Sequence, residues 1–409
     1  MLCRQHLFFV TAEGDTALHA VASNGESVEF LECAKIIFQK ADELMFAPNR
    51  KGDTPMHCAA RAGRSKMVSS LIELAGSRNR LQELLRKENG LKETALHDAV
   101  RIGNDSIVKS LLKADRDLAN YPKEGTSPLY LAIYLENIDI ARILHDMSYG
   151  NLSYCGPHGQ NALHAATFGG TVIREEVLKW NSSLTTHGDK DGSTPLHFAS
   201  SFGQYPHGFR QLFEANPSPV YQADNNGLFP IHVAASMGAL GIISNILETC
   251  PTSAGLCTAQ GRTFLHVAVE NRRLKVVSFV SQTPSLAWIL NSRDHDGNTA
   301  LHLAVHHGNL LIFCSLYGNK DVHVSLANNS MQTPIDLARS LLSRGLKYKS
   351  NNENWIYKTL KYVGATYSCR RADKFERVDP KSFELKPEDM TKEEDTVKDA
   401  SQILGIGSV

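Results

Sequence analysis

Gly297-Asn298-Thr299-Ala300-Leu301-His302-Leu303-Ala304-Val305-His306-His307-Gly308 holds a threonine, three histidines and two glycines. Alone, it suggests an enzyme or metal motif. Near-copies recur along the chain, however, and that recurrence decides the fold. With the histidine of Thr-x-Leu-His as marker, the copies fall at His19, His57, His97, His164, His197, His232, His266 and His302. Tyr130 holds the slot between His97 and His164, and Asp336 holds it after His302. The ten markers are 38, 40, 33, 34, 33, 35, 34, 36 and 34 residues apart.

Each residue type in the unit has a physical task. Gly14, Gly52, Gly125, Gly159, Gly192, Gly227, Gly261 and Gly297 stand two residues before the threonine slot, where a tight turn requires positive φ. Thr16, Thr54, Thr94, Thr194, Thr263 and Thr299 are placed to cap a first helix. Pro55, Pro128, Pro195, Pro230 and Pro334 follow at its first position, where a missing N–H costs nothing. Gly25, Gly63, Gly103, Gly170, Gly203, Gly238 and Gly308 are expected to end it as C-caps. A more apolar second helix follows, such as Ile107 to Leu112 or Ile242 to Leu247. A period near 33 with a T-P-L-H-x-A core resembles the ankyrin-repeat family over residues 13–345. The resemblance implies an all-α solenoid of about ten helix-turn-helix repeats with β-turn or hairpin tips. It also implies that the marker histidine is structural, bonding to its threonine and to backbone near the neighbouring turn.

Lysine plus arginine equals aspartate plus glutamate, 43 each, which argues against a nucleic-acid-binding face. The eight cysteines form no CxxC pair and no zinc spacing with histidine, as suits a reducing cytosol. No cleavable leader is expected, since Leu7-Phe8-Phe9-Val10 is too short an apolar run, and no apolar run reaches the ~18 residues of a membrane span. The chain as written is therefore expected in the cytoplasm.

Residues 1–12 read as the remnant of a preceding repeat, implying a longer product with further repeats upstream. The first two intervals carry insertions; in the second, Glu73 to Glu88 reads as a lengthened helix and loop. Ser127, Tyr130 and Glu136 depart together from the consensus of the fourth repeat, Phe229 from that of the seventh and Arg272 from that of the eighth. Local geometry is expected to loosen there. In the tenth unit the second helix is expected from Leu337 through Leu346. Residues 346–368 read as a capping region with a short helix from Trp355 to Gly364. Residues 369–409 are dense in both charge signs and read as a disordered linker, ending on the apolar Leu404-Gly405-Ile406-Gly407-Ser408-Val409.

That terminal segment, with Lys123-Glu124-Gly125-Thr126-Ser127-Pro128-Leu129-Tyr130-Leu131-Ala132, is similar to plant ankyrin-repeat membrane proteins of the accelerated-cell-death type. In those, the array and a charged linker precede a multi-span region named for a Pro-Gly-Gly motif, which this chain lacks. The resemblance implies a scaffold in defence and cell-death signalling. It implies membrane association, at the plasma membrane or endoplasmic reticulum, only through a region absent from this chain. The second reading is a soluble regulatory domain of a membrane channel or transporter.

No catalytic motif, cofactor loop or metal set stands out. His302 and His306 are spaced i, i+4 but lack the glutamate of a zinc protease motif, so a surface turn is favoured over zinc. Function is expected where the copies differ. Seven and eight residues after the threonine slot stand Arg101, Ile102, Tyr134, Leu135, Phe168, Phe202, Met237, Asn271, His306 and His307. The middle repeats contribute an apolar strip and the ends polar groups, which is the pattern of a concave protein-binding surface. The competing reading has these side chains packing between adjacent first helices.

Overall fold

The computed structural model describes residues 8–202, 206–343 and 351–367. The chain divides into two compact units, Met1–Pro230 and Ile231–Val409. Each is built from helix pairs, and the fold class is an all-α repeat solenoid. Among the described residues there is no strand, only an isolated antiparallel bridge between Cys155 and Asn161.

In the first unit the inner helices are Ala17–Asn24, Pro55–Arg61, Ala95–Arg101, Pro128–Tyr134, Ala162–Ala166 and Pro195–Ser201. Their outer partners are Val28–Lys40, Ser65–Gly76, Asp105–Ala114, Ile138–Met147, Thr171–Trp180 and Pro206–Ala215. A helix Pro230–Met237 begins at the boundary. The second unit continues with the inner helices Phe264–Glu270, Ala300–His306 and Pro334–Ser343. Alanines at the inner positions, such as Ala59, Ala60, Ala99 and Ala132, are fully buried and let neighbouring helices approach. The outer helices supply the bulk: Ile107, Val108, Leu111 and Leu112 have no exposed surface. One such buried side chain is worth about 1.5–3 kcal/mol, so a repeat needs both neighbours to become stable.

Between pairs the chain makes a tip. All eight predicted turn glycines lie at positive φ, from +74° to +118°. The two repeats without a glycine there use the same conformation, with Lys92 at +59° and Met331 at +57°. Consecutive tips are stitched by backbone, as Arg50 N–H to Glu13 O at 3.0 Å, or His295 N–H to Gln260 O at 2.9 Å. That closeness is a second demand on glycine: a Cβ on Gly52 would meet Gly90 N at 2.5 Å.

Several expectations are corrected. The fourth and eighth repeats keep the local geometry, because Glu136 and Arg272 both take the left-handed conformation, φ +57°, at the helix end. Ser127 still caps its helix, its Oγ accepting from Tyr130 N–H at 3.1 Å. Gly63, Gly103, Gly238 and Gly308 are left-handed helix ends, but Gly25 is extended and Gly170 instead precedes the next helix as its N-cap. Gly203 lies outside the described residues. The second insertion holds a separate short helix, Leu81–Leu85, anchored by buried Leu84 and Leu85. In the tenth unit a single inner helix, Pro334–Ser343, replaces the expected break before Leu337, and Asn351–Tyr362 packs outside it through buried Ile356 and Leu360. Of residues 1–12, residues 8–12 are described, with Phe9 and Val10 exposed. Residues 346–350 and 368 of the capping region, and the whole 369–409 linker, lie outside the described residues.

Candidate protein-binding surface and the marker histidines

The marker histidines share one geometry. In the first repeat Thr16 N–H donates to His19 Nδ1 at 3.1 Å, and the Thr16 hydroxyl lies 2.9 Å from the same nitrogen. Nε2 lies 2.9 Å from Asp53 O in the next repeat. A carbonyl only accepts, so Nε2 carries the hydrogen and the ring is neutral. His57, His97, His164, His197, His266 and His302 repeat this, reaching Glu93 O, Thr126 O, Ser193 O, Leu228 O, Asn298 O and Gln332 O at 2.8–3.2 Å. In the fifth repeat Asn161 takes the threonine's place, its Oδ1 accepting from Leu163 and His164 N–H. His232 departs: its Nε2 meets Leu256 O at 3.1 Å, 24 residues on. Burial pushes the imidazoles of His57, His97, His164, His197, His266 and His302 below the ordinary histidine value, which keeps them neutral.

Two repeats solve the task with other side chains. Tyr130 donates its hydroxyl to Gln160 Oε1 at 2.6 Å, reaching the next repeat just before its cap residue. Asp336 keeps the local half, with Thr333 N–H and hydroxyl both on Oδ2 at 3.0 and 2.9 Å.

A further inter-repeat contact escaped the sequence reading. Five residues before the threonine slot, Asn49, Asn89, Asp189, Asp224, Asp294 and Asn328 each accept two backbone N–H groups of their own tip. Where this residue is Asn, its amide donates to the preceding repeat: Asn49 to Asp15, Asn89 to Asp53 and Asn328 to Asn298, at 2.8–2.9 Å. Asp294 faces Arg262 instead, at 3.6 Å. The recurrence of Asn or Asp at a fixed offset was the available signal. Arg61 was also missed; it is held between Asp53 and Asp98, at 2.7 and 2.9 Å.

The residues predicted to bind a partner fall in both units. In the first, Arg101, Ile102, Tyr134, Leu135 and Phe168 are exposed, Tyr134 by 62% and Phe168 by 53%. Phe202 is half-buried and meets Phe168 edge-to-face, ring centres 4.8 Å apart. Phe168 also faces Phe198 at 6.3 Å, and Tyr134 stacks on Tyr130 at 6.4 Å. The arrangement is part packing and part surface: aromatic edges are held rigidly by neighbours while their outer faces stay open. Arg101 is oriented by Glu93 at 2.7 Å. Met237, Asn271, His306 and His307 belong to the second unit, and Asn271 turns its amide back to Val267 O at 2.9 Å.

Metal chemistry finds no support in these residues. Both ring nitrogens of His302 are engaged, so it cannot ligate beside His306. Among the described residues Asp15, His19 and Cys58 bring donor atoms within 4.8 Å of one another. They do not fit an ion: both His19 nitrogens are in use, Asp15 Oδ1 accepts from Asn49, and burial pushes the Cys58 thiol up to about 12.

A family described as "Ankyrin repeats (3 copies)" matches residues 1–82, 74–152 and 231–328, together more than half of the chain. Protein ACCELERATED CELL DEATH 6 of Arabidopsis thaliana is 28% identical over 376 residues, 86% of this chain and 54% of that protein. Transient receptor potential cation channel subfamily A member 1 of Homo sapiens is 30% identical over 202 residues, 47% of this chain and 17% of that protein. The probable 26S proteasome regulatory subunit p28 of Saccharomyces cerevisiae is 28% identical over 164 residues, 39% of this chain and 70% of that protein. The chain thus spans about half the length of the plant relative and under a fifth of the channel. No described helix is long and apolar enough to cross a membrane.

Proposed function

The chain belongs to the ankyrin-repeat family, and on that premise we propose a non-enzymatic scaffold that binds a protein partner through the open ends of its inner helices. The carrying observation is the row Ile102, Tyr134, Leu135 and Phe168 in the first unit, exposed apolar side chains at one repeated slot beside an oriented Arg101. Exposed aromatics already immobilised by neighbours lose little freedom on binding, which favours them as anchors. Met237, Asn271, His306 and His307 occupy the same slot in the second unit and extend the reading there.

Similarity to Protein ACCELERATED CELL DEATH 6 across 86% of the chain supports a role in plant defence and cell-death signalling, with membrane association of the kind that the family resemblance implies. The match to a cation channel over 47% of the chain supports a second reading, a regulatory domain of a channel or transporter. Affinity capture from plant tissue, comparing the intact chain with Tyr134→Ala/Leu135→Ala, tests the surface. These two side chains are exposed, by 62% and 42%, so the variant is expected to fold and to lose the captured protein. Equal capture by both forms would remove the surface from the reading. A pore-forming protein captured by the intact chain and lost by the variant would favour the channel reading.

A further inference from the structure

We propose that an open cavity in the second unit, bounded by Arg272, His307 and Asn352, binds a small oxyanion of the phosphate type. The cavity has a volume of about 450 Å³ and is also lined by Asn309, Leu310 and Leu311. His307 also stands in the partner-binding slot of the second unit, but oxyanion binding here does not rest on that reading.

Arg262 and Arg273, the arginines nearest to Arg272 in sequence, are engaged elsewhere. Arg262 Nη1 donates to both carboxylate oxygens of Glu270, each at 3.0 Å. Arg273 Nε donates to Ser236 O at 2.6 Å. Arg272, between them in sequence and lining the cavity, has no hydrogen-bond or ion-pair partner for its guanidinium among the described residues. His307 lines the same space, half-buried and packed edge-on against His306, ring centres 5.3 Å apart. Asn352 supplies an amide from the outer helix Asn351–Tyr362. Asn309 is occupied as a helix cap, its Oδ1 accepting from Ile312 N–H at 3.2 Å.

Two donors of positive or potentially positive character therefore line one open cavity, and no carboxylate is among its lining residues. Arg presents several N–H donors in a planar fork suited to an oxyanion, and an adjacent imidazole adds charge once protonated. The local field is already felt by His307. Burial first, then His306, Arg272 and Arg262, hold its imidazole toward the neutral form, with Glu270 opposing. An oxyanion on Arg272 reverses part of that field and draws a proton to His307, so binding is readable at that ring. Glu353 is the nearby acid to control for, since its Cγ lies 3.3 Å from where a side chain on Gly308 would begin.

The test uses the intact chain and inorganic phosphate against chloride at equal ionic strength, following the His307 ring proton by NMR across pH. The expected result is a saturable shift of the His307 titration to higher pH with phosphate. Arg272→Gly should abolish it. That variant removes the cation while suiting the left-handed backbone at 272, so it is expected to fold at least as well. His306→Gln should retain the phosphate response. The proposal is overturned if phosphate acts no differently from chloride, or if Arg272→Gly responds like the parent. A response seen only after Glu353→Gln would also overturn it, because the cavity would then be satisfied from within.

Discussion

The fourth and ninth repeats share a backbone but differ at three of the slots thought to define it. The ninth has Thr299, His302 and Gly308; the fourth has Ser127, Tyr130 and Glu136. Yet both helices are capped, both markers reach the following repeat, and both helix ends turn through positive φ. The unit is thus specified by a set of contacts that must be made, and more than one side chain can make each. What differs is cost, and cost is measurable.

The largest difference concerns acid. Six marker histidines are held neutral by burial, while Tyr130 has no charge to gain near neutrality. A histidine whose folded value is depressed stabilises the fold fully above its unfolded value, ordinarily about 6.5. As pH falls below that value the unfolded chain takes up protons that the folded chain refuses. Stability should therefore decline progressively below about pH 6.5, as several groups titrate together. Urea midpoints at pH 7.5, 6.5 and 5.5, read by circular dichroism, check this. A flat profile would mean that these rings accept protons without leaving their sites. Hydrogen exchange would show amides of the fourth inner helix, Pro128–Tyr134, to be less acid-sensitive than those of Ala300–His306.

Next in size is the marker itself. His302→Ala leaves Thr299 N–H and Gln332 O without their buried partner and should cost about 2–4 kcal/mol. Tyr130→Phe keeps the ring in place and loses one hydrogen bond to Gln160, so about 0.5–1.5 kcal/mol is expected. Equal losses, by denaturant unfolding, would mean that packing rather than bonding fixes the slot.

These contrasts explain what could be read from sequence. Helix pairs, tip glycines and the marker histidines were legible because each recurs at a fixed offset and each has one dominant physical use. The tolerance of Glu136 and Arg272 was not, because a left-handed non-glycine residue carries no local mark; neighbouring repeats impose it. The Asn and Asp ladder was legible in principle, as its offset is constant, but its meaning depends on a partner in the preceding tip. The candidate surface was legible only as a list of positions. Sequence cannot say that Phe202 is committed to Phe168 while Tyr134 stays open, since that depends on how far each helix runs before it turns.

The ladder gives the third prediction. Asn89 donates to buried Asp53 at 2.9 Å, and Asp53 also holds Arg61. Asn89→Asp sets two carboxylates against each other and should cost about 1–3 kcal/mol at neutral pH, most of it recovered as the pair takes up a proton in acid. Asn328→Asp, facing neutral Asn298, should cost less. Comparable losses at the two positions would show that the tip's own backbone contacts, rather than the inter-repeat pair, set the energy.

The smallest effect returns to the helix ends. Gly308 adopts φ +60° without steric cost, whereas Glu136 holds φ +57° against the crowding of its own Cβ. Glu136→Gly should relieve that strain and Gly308→Ala should introduce it, each by about 1 kcal/mol and in opposite directions. The gain at 136 is reduced because glycine also loosens the unfolded chain, so a net stabilisation of about half that size is the sharper expectation. Both positions are measurable in the same urea assay, and the sign at 136 is decisive. If Glu136→Gly destabilises, the fourth repeat draws support from the glutamate side chain that outweighs its backbone strain. The equivalence of the two repeats would then end at the turn.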